Sequence, residues 1–280
     1  MFVGDGKTIE VAYRVTGEGI PPRPIKLQIP GWAGDSHGHT NGDKAQPWHC
    51  VPFVEGNTYG LEMVYPYEEE CRVSNIDGKI EMTGDVRFQM FAAGHFGYCS
   101  CMDIQVPPGH VVRLEPHPRY FTDHTGTVPL MVPGHLQTEW WTRIFFIVFK
   151  VPFPGQTHIF RKGEPYGQML IVPKKVNYKL REMTPAEKEK RIRWEQLSML
   201  YDSLIGERSW VSNTGNHFND EYKVMARAWA KGGEQGIEEL FEKAKEKSVA
   251  RDAAQRKSIQ DRMPRKVLGL KRSKHERLAE

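Results

Sequence analysis

The chain has 280 residues, of which 39% are hydrophobic, 11% aromatic and 26% charged, and this balance excludes a wholly disordered protein. The 26 Gly and 19 Pro follow no fixed period, which excludes a collagen-like or coiled-coil rod. The net charge of +4 is uneven, because residues 246–280 hold eleven Lys or Arg against five acids. No apolar run approaches the roughly 18 residues that span a bilayer, and the first residues show no signal-peptide pattern. With only four cysteines, we expect a cytoplasmic protein with reduced thiols.

Short strand-like segments separated by Gly and Pro turns fill the first part of the chain. They are KTIEVAYRVT (7–16), PIKLQI (24–29), YGLEMVYP (59–66), CRVS (71–74), KIEM (79–82), DVRFQMF (85–91), CSCMDIQV (99–106), HVVRLEP (110–116), VPLMV (128–132), TEWWTRIFFIVFKV (138–151), QTHIF (156–160) and YGQMLIV (166–172). No helical crossover separates them, so a parallel βαβ sheet is excluded. The pattern predicts a mainly β domain over residues 1–176, an antiparallel β-sandwich or barrel of cupin-like or β-clip-like type.

A polar, Gly-rich segment covers residues 34–47 and contains His37 and His39. A His-x-His pair can supply two metal ligands, and a solvated loop explains the same pattern.

The chain becomes charged and helical after the β domain. Thr184, Pro185 and Glu187 form the pattern of a capping box with Pro at the first helical position. Helices are predicted up to about residue 204, over 220–231 and over 234–260. We therefore predict a helical extension over residues 177–262 and a flexible basic tail over 263–280.

Several short motifs occur in a fixed order within the β domain. They are PWHCVP (47–52), HFG (95–97), PPGH (107–110), PHPR (116–119), EW (139–140) and KGEP (162–165). In order and spacing these motifs resemble the DUF6065 family over about residues 46–174. The resemblance implies domain boundaries and a candidate site, and it implies no particular reaction.

A second similarity concerns the segment from VPG (132–134) to VP (172–173). The spacing of its strand-like segments and turns is similar to that of the closing strands of dUTPase-like β-clip barrels. The Asp-bearing and Ser-bearing nucleotide motifs of those enzymes are missing from this chain.

Histidines are concentrated in the β domain, and His is the commonest side-chain metal ligand. Six of them lie within 64 residues: His95, His110, His117, His124, His135 and His158. Two His and one carboxylate at the mouth of a small barrel are typical of a non-haem iron site. We predict His95, His117 and Glu139 as ligands of a divalent metal, with iron as the best candidate and His135 in reserve. The alternative is a set of turn and surface histidines, and no H-x-D or H-x-E spacing occurs to favour the metal.

Five further residues are predicted to bind the substrate of this site. Arg119 and Glu164 would orient a charged small molecule, with Arg143 as a further polar anchor, and Trp140 or Trp141 would line the cavity. The predicted function is a metal-dependent oxidoreductase of the non-haem oxygenase type, acting on a small molecule.

A non-catalytic protein is the other hypothesis. No P-loop, dinucleotide fingerprint, nucleophile elbow, kinase motif or H-E-x-x-H motif occurs. The chain could be a ligand-binding module, or a viral or assembly component that forms a homo-oligomer through its helical arm. Weak, sequence-independent binding of nucleic acid by the basic tail is also predicted, and no membrane partner is expected.

Overall fold

The structure, a computed structural model, describes residues 8–29, 31–33, 47–84, 87–211, 215 and 217–262. The predicted basic tail and nearly all of the polar segment 34–47, including His37 and His39, lie outside the described residues. The chain divides into two compact units: a β unit up to Leu180, and a helical unit from Arg181 onward without Val211 and Gly215. No helix in the described ranges is long and apolar enough to cross a membrane.

Thirteen strands lie in the described part of the β unit. They are β1 (Ala12–Val15), β2 (Arg23–Pro24), β3 (Leu61–Val64), β4 (Cys71–Ile76), β5 (Lys79–Thr83), β6 (Gln89–Ala92), β7 (His95–Cys99), β8 (Met102–Gln105), β9 (His110–Pro116), β10 (Gly134–Leu136), β11 (Phe146–Lys150), β12 (Thr157–Phe160) and β13 (Pro165–Pro173). Two short helices, α1 (Val51–Asn57) and α2 (Arg119–Thr122), and a 3-10 turn (Pro47–His49) connect them.

These strands form four antiparallel sheets. The largest has the order β10-β9-β13-β3-β2, two have the orders β11-β7-β6 and β12-β4-β5, and β1 pairs with β8. The predicted antiparallel, mainly β fold followed by helices is therefore confirmed. The strands that the structure describes do not close into a barrel.

A cluster of aromatic rings forms the core of the β unit. Its larger members are Tyr65, Tyr67, Phe88, Phe96, Tyr98, Phe149, Phe160 and Tyr166. Each is at most 6% exposed, and the rings meet at stacked or edge-on angles, such as Phe88 on Tyr98 at 4.5 Å between centroids. Such pairs add to the hydrophobic gain of burying the rings, so this cluster joins the sheets.

The sequence predicts one long strand with a bend or bulge over residues 138–151, and this prediction is wrong. Only Phe146–Lys150 forms a strand, while the preceding residues make a loop in which the Trp141 N–H donates to the Gln137 carbonyl at 3.2 Å. The chain enters β11 through Phe145, whose N–H donates to the carbonyl of Met102 at 2.9 Å. A continuous strand would place Glu139, Trp141 and Arg143 on one face, and this alternation therefore does not apply.

The helical unit contains α3 (Pro185–Ile205) and α4 (Glu221–Arg262), which are joined by a hairpin of β14 (Ser209–Val211) and β15 (His217–Asn219) whose residue Val211 is grouped with the β unit. The predicted capping box is confirmed: the Thr184 side chain accepts from the Glu187 N–H, and the Glu187 carboxylate accepts from the Thr184 N–H at 2.8 Å. Gly233, with φ +56°, kinks α4 where the sequence predicts a break between two helices. The two helices pack through a small core: Ile205, Ile237, Phe241 and Ala244.

Candidate functional site

The five-stranded sheet has one apolar face and one polar face. Leu61, Met169 and Leu114 face one another across β3, β13 and β9 and belong to the aromatic core. The next row of side chains, one residue along each strand, points to the opposite face of the sheet, because side chains alternate along a strand. That row is polar: Arg23, Glu62, Gln168 and Glu115. The sheet therefore carries charged groups on the face turned away from the core.

Glu62 and His117 form a buried pair on the polar face. The two side chains are 3% and 0% exposed, and His117 Nε2 lies 3.3 Å from Glu62 Oε2. Arg23, the cross-strand neighbour of Glu62, pairs with the other carboxylate oxygen. His117 Nδ1 accepts the backbone N–H of Arg119 at 3.1 Å, so the proton of the neutral ring sits on Nε2 and points at Glu62.

The charge states of this pair follow from its surroundings. Burial lowers the pKa of His117, with Glu62 opposing, so the ring is neutral at pH 7. Burial by itself would raise the pKa of Glu62, but hydrogen bonds from His117 and Arg23 outweigh it and the pKa is lowered. Glu62 is therefore ionised, and both nitrogens of His117 are occupied. His117 acts as a positioning group between β3 and α2, with no nitrogen left for proton transfer.

Two of the predicted substrate-binding residues continue this cluster. Arg119 Nη2 donates to Glu164 Oε2 at 3.0 Å, and the Arg119 side chain is 13% exposed. Arg119 Nε and Trp32 Nε1 are buried without a hydrogen-bond partner among the described residues, and the Trp32 ring lies edge-on to His117 at 5.4 Å. Sequence analysis thus placed His117, Arg119 and Glu164 in one region, but it missed Glu62 and Arg23. The signal for Glu62 was a lone acid inside the apolar strand LEMVY.

The three predicted metal ligands do not come together. His95 Nδ1 donates to the Ala93 carbonyl at 2.9 Å. The Glu139 carboxylate accepts from the Gly109 N–H at 3.0 Å and pairs with Lys174 at 2.6 Å, and these contacts lower its pKa. His117 is held by Glu62. No group of three or more His, Cys, Asp or Glu suited to a metal occurs anywhere in the described ranges.

The remaining predicted residues lie on an exposed loop. Trp140 is 64% exposed and Trp141 39%, and the Arg143 guanidinium lies 5.6 Å from the Trp141 ring centroid. Their role in binding stays a prediction.

A cleft of about 350 Å³ opens elsewhere in the β unit. It lies between the α2 segment and the turn that joins β11 to β12. Its walls are Tyr120, Phe121, Asp123, Gly126, Val128, Leu130, Lys150, Val151, Pro152, Phe153, Gln156 and His158. The volume is at the lower end of the range for small-molecule sites.

His158 is the most unusual polar group in this cleft. It is 5% exposed, and its Nδ1 is buried with no hydrogen-bond partner in the described part of the chain. Burial lowers the pKa of His158 to about 4, while the charge of Asp123 acts in the opposite direction. The ring is therefore neutral at pH 7. A proton on Nδ1 would be a buried donor without an acceptor, so the tautomer with Nε2–H is favoured.

Asp123 keeps its charge by local hydrogen bonds. Oδ1 accepts from the backbone and the hydroxyl of Thr125 at 2.9 and 2.6 Å, and Oδ2 accepts from the Val128 N–H at 3.1 Å. Burial by itself would raise the pKa of Asp123, but these bonds lower it. The carboxylate thus shapes the loop that forms one wall of the cleft. The cleft could not be recognised from the sequence, because its two walls come from separate segments and neither segment carries a recognisable motif.

Comparisons with known proteins complete the description of the site. No family model matches the chain, and no curated protein matches it. Solved structures that match include an EIAV dUTPase (12% identity, 63% of this chain, 98% of that chain, TM-score 0.32), the dUTPase from phage phi11 of S. aureus (11%, 63% and 99%, 0.34) and the Staphylococcus bacteriophage 80alpha dUTPase (10%, 62% and 96%, 0.31). A variant of the phi11 enzyme is described with a structural Mg(II) ion, which is a property of that protein. These values assign neither a reaction nor a ligand to this chain.

The predicted metal-binding oxidoreductase is wrong. Its three ligands are engaged in separate contacts, and no group of side chains suited to a metal occurs in the described ranges. The error has a physical cause: histidines that are close in sequence were expected to meet at the mouth of a barrel. The described strands do not close into a barrel, and the two predicted histidine ligands lie in different places, His95 at the start of β7 and His117 between β9 and α2.

Proposed function

We propose that the β unit binds a small planar molecule that carries negatively charged or neutral acceptor oxygens, in the cleft beside His158. The observation that carries this proposal is an open cleft of about 350 Å³ whose lining combines the Lys150 ammonium group with two exposed aromatic rings, Phe121 and Phe153. Pockets of this size with apolar walls and a few polar groups are typical of small-molecule sites.

The apolar part of the cleft favours a flat ligand. Phe121 is 73% exposed and Phe153 is 58% exposed, although both rings line the cleft. Large apolar rings left in water at a concave site gain free energy when a ligand covers them.

The polar part of the cleft favours a ligand that brings acceptors. Lys150 supplies an ammonium group, 4.8 Å from the Phe153 ring centroid. The Gln156 side chain adds an amide that can donate. The Asp123 oxygens already accept three hydrogen bonds from Thr125 and Val128, so they are less available to a ligand.

Three naphthalene probes of equal size test this proposal: 2-naphthoate, 2-naphthalenemethanol and 2-naphthylmethylamine. Binding to the full chain is measured by saturation-transfer NMR and thermal shift at pH 7. We expect the acid to bind at least about fivefold more tightly than the other two, since one charge contact of this kind contributes about 1 kcal/mol.

Variants connect this preference to the cleft. Lys150→Met should weaken naphthoate binding by about fivefold, whereas Lys175→Met, at an exposed position outside the cleft, should leave it unchanged. Equal binding of the amine, unchanged binding by the Lys150 variant, or no binding of the acid at millimolar concentration would each contradict the proposal.

A further inference from the structure

Two neighbouring tryptophans lie on the surface of the β unit, in the loop formed by residues 137–144, here called the tryptophan loop. Trp140 and Trp141 meet edge to face, with centroids 5.9 Å apart, and are 64% and 39% exposed. Tryptophan carries the largest apolar surface of any side chain, so two exposed neighbours are costly unless a partner covers them.

The loop that carries these rings is fixed at both ends. The hydroxyl of Thr138, a residue only 3% exposed, accepts the Val106 N–H at 3.3 Å. Glu139 is held by the Gly109 N–H and by Lys174, and Phe145 is 1% exposed in the core. The rings are therefore held in place before any partner binds, which reduces the entropy lost on binding.

The free polar groups of the loop are donors. The Arg143 guanidinium lies beside the Trp141 ring, and Arg14, whose side chain is 60% exposed, donates to the Thr142 carbonyl at 2.6 Å. The acceptors nearby are already occupied: Asp103 pairs with Arg14 at 2.8 Å, and Glu139 is engaged as described above. The loop thus offers flat faces and positive charge to a partner that supplies acceptors.

We propose that the tryptophan loop is a docking surface for single-stranded nucleic acid, independent of the cleft beside His158. Bases would stack on Trp140 and Trp141, and a phosphate would accept from Arg143. Stacking on aromatic rings beside cationic side chains is how proteins hold single strands without reading their sequence. A phosphodiester supplies the acceptors that this surface lacks.

A second copy of the chain and a sugar are the other candidate partners, and both fit this surface less well. Two partly exposed rings offer at most about 300 Å², whereas a stable contact between two copies of the chain needs about 800 Å² per partner. A sugar presents mostly hydroxyl groups that must also donate, and the carboxylates of the loop are already engaged. The side-chain oxygen of Gln137 is engaged as well, since it accepts the Trp140 indole N–H at 3.3 Å.

Fluorescence anisotropy of a labelled 12-nucleotide oligothymidylate with the full chain tests the proposal. We expect the Kd to rise at least about tenfold in the double variant Trp140→Ala/Trp141→Ala, since each stacked base contributes a factor of that order. The double variant Trp140→Phe/Trp141→Phe keeps two rings and should stay within about threefold of the unchanged chain, which separates stacking from misfolding. Tyr178→Ala, at a ring that is 85% exposed elsewhere in the β unit, should have no effect.

The salt dependence distinguishes the loop from the basic segment. Raising NaCl from 50 to 200 mM should increase the Kd about 3- to 7-fold, as expected for one or two phosphate contacts. Residues 246–280 contain no Phe, Tyr or Trp, so binding through them would survive the loop substitutions.

The proposal is overturned if the alanine double variant binds like the unchanged chain, if a 12-base-pair duplex binds as tightly, or if maltohexaose displaces the oligonucleotide. A dimer in light scattering that dissociates in the double variant, or no binding by the full chain, also overturns it.

Discussion

His117 Nε2 lies 3.3 Å from Glu62 Oε2 inside the β unit, where neither side chain is more than 3% exposed. The other ring nitrogen of His117 accepts the Arg119 N–H, and the other carboxylate oxygen of Glu62 pairs with Arg23. One buried carboxylate therefore connects β2 and β3 to the start of α2. The arrangement satisfies the hydrogen bonds of a buried charge, and removal of the carboxylate leaves Arg23 without its counter-charge and the His117 Nε2–H without its acceptor.

Glu62→Gln should lower the free energy of unfolding of the β unit by about 2–4 kcal/mol, because the amide removes the counter-charge of Arg23 and weakens the hydrogen bond from the His117 Nε2–H. The measurement is urea unfolding followed by near-ultraviolet circular dichroism, which reports the buried aromatic cluster. The matched control is Glu68→Gln, whose side chain is 79% exposed and pairs with Lys162, and its urea midpoint should not change. Equal midpoints for the two variants would contradict a stabilising role for the buried pair.

The buried histidines should make the β unit less stable in mild acid. The pKa of His158 is about 4 in the folded chain against an ordinary 6.5, so between these values the unfolded chain binds more protons and stability falls as the pH falls. We expect His158 to account for a loss of about 2–3 kcal/mol between pH 7 and 4.5. The lowered pKa of His117 acts in the same direction below 6.5, and Glu62 adds to the loss only below about 4.5.

The measurement is the urea midpoint of the β unit across this pH range, for the unchanged chain and for His158→Leu. The variant has no imidazole to protonate, so its midpoint should fall less between pH 7 and 4.5. The midpoints at pH 7 and pH 4.5 are compared within each protein and not between the two proteins, because the substitution also changes packing. A variant with the same pH dependence as the unchanged chain would show that His158 is not a buried neutral base.

The antiparallel β fold and the capped helix could be predicted from sequence, because both depend on local signals. Alternating residues between Gly and Pro turns indicate strands, and the spacing of Thr184 and Glu187 indicates a helix start. The site could not be predicted in the same way. Glu62 and His117 are 55 residues apart and meet only because β3 lies beside β13, which in turn pairs with β9. The walls of the cleft likewise depend on the placement of α2 next to the end of β11.

The loop before β11 shows a further limit of predicting structure from sequence. Residues 138–145 have the aromatic and β-branched composition of a strand, yet they form a loop held by specific contacts. The Thr138 hydroxyl binds the backbone of Val106, and the Glu139 carboxylate binds Gly109 and Lys174. Side-chain to backbone bonds of this kind compete with strand pairing and leave no periodic trace in the sequence.

Gly97 provides the sharpest test of the pairing between β7 and β11. A Cβ at this position would lie 2.2 Å from the Ile147 carbonyl oxygen and 2.8 Å from the Phe146 ring. The carbonyl belongs to the neighbouring strand, where Val148 pairs with Gly97, so it cannot retreat without opening the ladder. Gly97→Ala should therefore lower the free energy of unfolding of the β unit by about 2–4 kcal/mol. The control is Gly134→Ala in β10, where an added Cβ meets no atom within 4 Å and should be neutral or slightly stabilising. Both are measured by urea unfolding, and a Gly97 variant as stable as the Gly134 variant would show that β11 does not pair with β7 in this register.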